Sequence, residues 1–236
     1  MRLLVCAILV AGCGGPDFGP DRAPTQQEQA NGQSAEASMA VFLGDSAQPI
    51  NADAFGNLAN TIYGVANTSY TGMTVAPPRL YAECATIAAN RVDFHCTINN
   101  TSSSQTLNGS VSRTINGASV AWHVDLSMSV TSSSTNISQS TGIRLTGDVT
   151  VSGGTQINGS LSMNANVHIQ DQGTTIDGTL SSTVSYNKLV YDVTNSCVTG
   201  GNIVVTLDGS ANGRSVSQAV RYTWQSCHMF TIAVAK

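Results

Sequence analysis

The chain has 236 residues, with 10 basic and 14 acidic side chains and a formal net charge of −4. Charged residues are only 10% of it, against about a quarter in an ordinary soluble domain, so polarity falls to Ser, Thr, Asn and Gly. Such a sparse, mildly acidic surface excludes capture of nucleic acid or anionic lipid by charge, and the length suits one main domain.

Met1-Arg2 sets one positive charge before an apolar stretch, Leu3 to Val10, that closes on small residues. The stretch is roughly ten residues, where a helix needs about 20 to cross a bilayer, and the layout is that of a cleavable secretory signal. The junction Val10-Ala11-Gly12-Cys13 resembles the bacterial lipobox, a small-residue tripeptide before an obligatory cysteine, with valine where leucine is commonest. The resemblance covers the leader and its junction alone. It implies removal of residues 1–12, diacylglyceryl transfer to Cys13 and fatty acylation (palmitate) of the new amino terminus. By the same resemblance, Gly14 in place of an aspartate implies the outer membrane, with the domain tied to the bilayer by lipid.

Residues 13–38 carry Gly, Pro, Gln, Ala and Glu with almost no large apolar side chain. Such a segment buries too little surface to offset its ordering entropy, which predicts a flexible tether. The remaining residues, 39–236, read as a single domain. Phe55, Leu58, Ile62 and Val65 recur at helical spacing, which predicts one amphipathic helix near 51–66.

Between the tether and that helix lies Val41-Phe42-Leu43-Gly44-Asp45-Ser46, which resembles the first block of the SGNH/GDSL hydrolases. There a strand delivers a nucleophilic serine, here Ser46, into a helix. The family also requires an oxyanion-hole glycine, a Gly-x-Asn-Asp block and a late Asp-x-x-His. None of His95, His123, His168 and His228 has an aspartate three residues before it. A serine without a base is a poor nucleophile, so no catalytic residue is assigned.

From Leu80 the apolar period becomes two. Val120, Trp122, Val124, Leu126, Met128 and Val130 alternate with polar or small residues, the mark of a strand with one dry and one wet face. His95, His123 and His168 fall on the wet phase, as do Asp125, Asp148 and Asp177, so all read as solvated strand residues and no metal site is assigned. Turns can be tested by requiring that partners share a face. A turn at Asn116-Gly117 sets Ile115 against Ala118 and Val111 against Trp122. One at Gln172-Gly173 sets Ile169 against Ile176, Ala165 against Leu180 and Leu161 against Val184. A third at Asn212-Gly213 sets Val205 against Val220 and Ile203 against Tyr222. All three keep dry faces together.

Cys6 leaves with the signal and Cys13 takes lipid. Cys84, Cys96, Cys197 and Cys227 remain, an even set that an oxidising compartment pairs. With no C-x-x-C, zinc is the weaker reading. A hairpin centred near Asn90 sets Cys84 opposite Cys96. The Asn212-Gly213 register leaves Cys227 one residue from Cys197, a gap that a bulge around Gly200-Gly201 would close. The predicted disulfides are therefore Cys84–Cys96 and Cys197–Cys227.

Glycines recur inside the strand segments, at Gly109, Gly147 and Gly159 among others. Glycine within a strand marks a bend or a close backbone approach. The predicted fold is all-β: an antiparallel meander of about ten strands forming a barrel or strongly curled sheet, with one short N-terminal helix. The function expected is that of a non-enzymatic, lipid-anchored envelope domain, structural or binding, with no cofactor. Two alternatives are a carrier of a small apolar ligand in a barrel cavity and a hydrolase using Ser46.

Overall fold

The computed structural model describes residues 16–44, 47–59, 81–99, 101–133, 137–171 and 173–235. The period-two segments become ten strands: β1 (Ala85–Ala88), β2 (Arg91–Asn99), β3 (Ser103–Asn116), β4 (Ser119–Ser133), β5 (Ile137–Ser152), β6 (Gln156–Asp171), β7 (Thr174–Asp192), β8 (Cys197–Ala211), β9 (Arg214–Ser226) and β10 (Met229–Val234). Each is antiparallel to its neighbour in sequence, in one sheet of order β1 to β10. Alternation sets the two faces. On β6, Leu161, Met163, Ala165 and Val167 are buried while Asn164, Asn166 and His168 are exposed.

The sheet is open, so the expected barrel or strongly curled sheet is not formed. Closure requires the first and last strands to pair along a consistent stagger. Here β1 has 4 residues and β10 has 6, against 19 in β7. The outer edge of β10 is also taken: Phe18 bridges to Ala235 and Arg22 to Ile232. The strand glycines serve close approach. A Cβ on Gly109 would run into the carbonyl oxygen of Asp125 on β4, and one on Gly147 or Gly159 into a carbonyl of the adjoining strand. Without a barrel, the apolar-ligand carrier loses its container.

Two of the three tested turns have the predicted register. Ile169 faces Ile176 and Leu161 faces Val184, and Val205 faces Val220 across Asn212-Gly213. Asn212 and Gly213 both take positive φ, 48° and 77°, as a type I′ turn requires. The third register is displaced by two. Asn116 pairs with Ser119, so Gly117-Ala118 form the turn and Val111 faces Val124. Gly117, at φ 59°, holds the first central position, where a type II′ turn places glycine. An even displacement leaves every side chain on its own face, so matching faces could not detect it.

The disulfides join Cys84 to Cys96 and Cys197 to Cys227, with Cα separations of 5.1 and 5.3 Å. The first hairpin differs by one residue from the predicted register, since Ala85 faces Phe94. Cys84 reaches its partner from a 3-10 turn, Tyr81–Cys84, rather than from the strand. Near the second disulfide the β7–β8 ladder carries two compensating irregularities: an extra residue on β7 between Asn187 and Val190, and one on β8, where Thr199 is passed over between Val198 and Gly200, beside the expected Gly200-Gly201 bulge.

The dry face is covered in part by helical segments. Residues 52–59 are helical; the rest of the predicted 51–66 helix lies outside the described residues. Phe55 packs its ring on Trp122 of β4 at 5.4 Å and on Phe42 at 5.6 Å, distances at which aromatic pairs attract. The Trp122 indole N–H donates to the Phe42 carbonyl at 3.1 Å. Arg113, buried beside this cluster, lies 5.6 Å over the Trp122 ring. Its guanidinium donates to Asn90 and to the Ala89 carbonyl, so its charge is met by the β1–β2 turn.

The expected tether contains a 14-residue helix, Gln26–Met39. Its start is a capping box: the Thr25 hydroxyl accepts from the Glu28 N–H at 3.4 Å, and the Glu28 carboxylate accepts from the Thr25 N–H at 2.7 Å. Arg22 grips the same carboxylate through two bonds of 3.0 and 2.8 Å. The Arg22 hydrogen bond, helped by Thr25, holds the Glu28 carboxyl down to about 2. The helix docks without an apolar stripe. Gly32 lets the Phe230 ring sit where a Cβ would stand, and Glu36 and Met39 are buried. No helix among the described residues is long and apolar enough to cross a membrane.

Candidate functional site

Cys13 and Ser46 lie outside the described residues. The stretch expected to deliver Ser46 as a strand is instead a 3-10 turn, Ala40–Leu43, with Phe42 in the core. The hydrolase resemblance therefore lacks its strand.

The one group of three potential metal ligands among the described residues is Cys197, Cys227 and His228. The two sulfurs are bonded to each other and offer no thiolate, the form that ligates metal. His228 instead pairs its Nδ1 with Glu36 at 3.0 Å.

The other histidines follow the sheet register. His123 stands opposite Asp148 and His168 opposite Asp177. Each Nδ1 meets the aspartate, at 2.8 and 2.6 Å. A serine flanks each histidine on its other side, Ser112 on β3 and Ser140 on β5. The resulting order, serine, histidine, aspartate, is not a catalytic triad as it stands. Neither serine is hydrogen-bonded to its imidazole among the described residues, and His168 and Asp177 are 51% and 75% exposed. Acyl-transfer triads bury the aspartate and hold the serine on the ring. The fold is thus an all-β domain without an evident catalytic arrangement among its described residues.

The exposed face has a second level of order. In one cross-strand row stand Ser104, Thr131, Ser140, His168 and Asp177, from β3 to β7. In the row beside it stand Thr106, Ser129, Gly142, Asn166, Thr179 and Ser210, from β3 to β8. Hydroxyls within the second row bond across strands, Thr106 to Ser129 at 2.7 Å and Thr179 to Ser210 at 2.8 Å. Three shallow depressions of about 550, 370 and 610 Å³ lie along these rows. The first shares Ser140 and His168 with the third, and Asn166 and Thr179 with the second. With these shared linings they adjoin across the strands as one trough-like series, in which Gly142 of the second row leaves an open place.

Sequence reasoning placed His123, His168, Asp148 and Asp177 on the wet face but did not join them. The Gln172-Gly173 register already sets His168 opposite Asp177, so that pair was readable. The β4–β5 connection carries no turn signal, and the His123–Asp148 pair was not. Comparison with known proteins finds no matching family model, curated protein or solved structure, so the trough is interpreted from its own chemistry.

Proposed function

We propose that this chain is a bacterial envelope lipoprotein, held to the outer membrane by lipid on Cys13, whose β domain binds a partner rather than catalysing a reaction. The leader and its Val10-Ala11-Gly12-Cys13 junction support the anchor. The observation that carries the binding role is the exposed face: hydroxyls and amides in register along a continuous trough. Phe18, five residues past Cys13, bridges to Ala235 at the sheet edge, and at about 3.3–3.6 Å per residue the intervening chain can reach at most about 18 Å. The domain is then carried close to the bilayer rather than on a long tether.

Metabolic labelling with a radioactive fatty acid tests the anchor. The expected product is a labelled chain starting at Cys13, with the label lost in Cys13→Ser. An unlabelled mature protein starting elsewhere would refute it.

A further inference from the structure

We infer that the trough takes a neutral, hydroxyl-rich linear glycan laid across the strands, a deepening that rests on the binding role proposed above. The chemistry of the lining carries the first step. Ser140, Asn166, Thr179 and Ser210 offer donors and acceptors without net charge. The histidine there is already met by Asp177 at 2.6 Å, leaving its second ring nitrogen for an outside partner. No aromatic side chain lines the trough, so flat apolar ligands find no platform. A polyanion would face Asp177 and Asp208 with no lysine or arginine in the lining to offset them.

The geometry carries the second step. Strands repeat at about 4.7–4.9 Å, close to the advance per sugar of an extended polysaccharide. A chain running across the sheet therefore meets one residue per sugar in each row, polar at every position except Gly142. From β3 to β8 the trough crosses five strand intervals, about 24 Å, room for about five sugars. Gly142 stands mid-trough in the second row, where a side chain would otherwise fill the path. A Cβ there has nothing within 4 Å, so the gap is not forced by packing.

That gap supplies the test. The full chain, purified in detergent, is titrated by NMR with cellulose-type and chitin-type oligosaccharides of two to seven sugars. Heparin is the anionic comparison. At least one neutral glycan is expected to shift the amide signals of Ser140, Gly142, Asn166 and Thr179, with affinity rising to about five sugars and then levelling. Gly142→Trp is expected to weaken binding about tenfold or more, and Gly142→Ala by about twofold or less. Matching spectra away from residue 142 show that each variant is folded. Absence of binding by every neutral glycan, preference for heparin, or binding unchanged in Gly142→Trp would each overturn the inference. The anchor is scored separately by the fatty-acid label, so either reading can fail alone.

Discussion

The buried carboxylate of Glu36 accepts a hydrogen bond from the indole N–H of Trp224, 188 positions along the chain. The same carboxylate meets His228, so one side chain fastens the Gln26–Met39 helix to both β9 and the β9–β10 turn. Glu36→Ala leaves the indole donor buried without a partner, which costs about 1–3 kcal/mol. Glu36→Gln keeps an acceptor and loses less. Urea unfolding followed by tryptophan fluorescence measures both. An alanine variant as stable as the parent would show that the helix docks without this bond.

Glu28 makes the N-terminal anchor sensitive to acid. Its carboxyl is held at about 2 by Arg22 and Thr25, against about 4.3 in an unfolded chain. A carboxyl depressed by folding contributes fully above the unfolded value, and that contribution fades as pH falls from about 4.3 to about 2. Carboxyl-carbon NMR is expected to give Glu28 a midpoint near 2. Glu28→Gln should remove that part of the pH dependence. A midpoint near 4.3 would mean the Arg22 clasp is open in solution.

The two disulfides close loops of 12 and 30 residues. Loop entropy gives about 3 and about 4 kcal/mol for them. Replacing Cys197 and Cys227 by alanine should therefore lower stability more than replacing Cys84 and Cys96. Denaturant midpoints of the two double variants decide the order, and the reverse order would show that native contacts around each bridge outweigh chain entropy.

Alanine at two glycines of one sheet should have very unequal consequences. Gly109 takes φ 114° and a Cβ there meets the Asp125 carbonyl, so Gly109→Ala is expected to cost about 2 kcal/mol or more. At Gly142 the space is open, and the change should fall within about 0.5 kcal/mol. Thermal unfolding of the pair checks this. Equal losses would mean that Gly109 is not pressed against β4.

Alternation made most of the sheet readable, because a half-buried strand writes its two faces into the chain. Turn chemistry fixed the register at Gln172-Gly173 and Asn212-Gly213 but not at Asn116-Gly117, although that dipeptide carries the same Asn-Gly signal. At Gly117 the glycine marked the turn but not its own position within it. Closure left no local trace, since it depends on whether β1 and β10 can pair. The Gln26–Met39 helix was hidden because its composition is that of a linker. Its one local signal is the spacing of Thr25 and Glu28, a capping box that was readable. Its docking depends on Gly32, Glu36 and Met39 meeting residues near the far end of the chain, which no nearby pattern encodes. The trough was missed for a similar reason: each serine or threonine is ordinary alone, and only the registers of successive hairpins align them.

The bridges from Phe18 to Ala235 and Arg22 to Ile232 join residues near the amino end to residues near the carboxyl end. A chain made or exported from its amino end can add β1 to β10 in turn, each on the open edge left by the one before. Its opening segment has to wait for β10. Until then the growing sheet ends in an unpaired edge, the kind that recruits other chains. The N-terminal residues act as a latch that shuts only on a finished molecule. An interruption late in synthesis should therefore leave a nearly complete sheet prone to self-association.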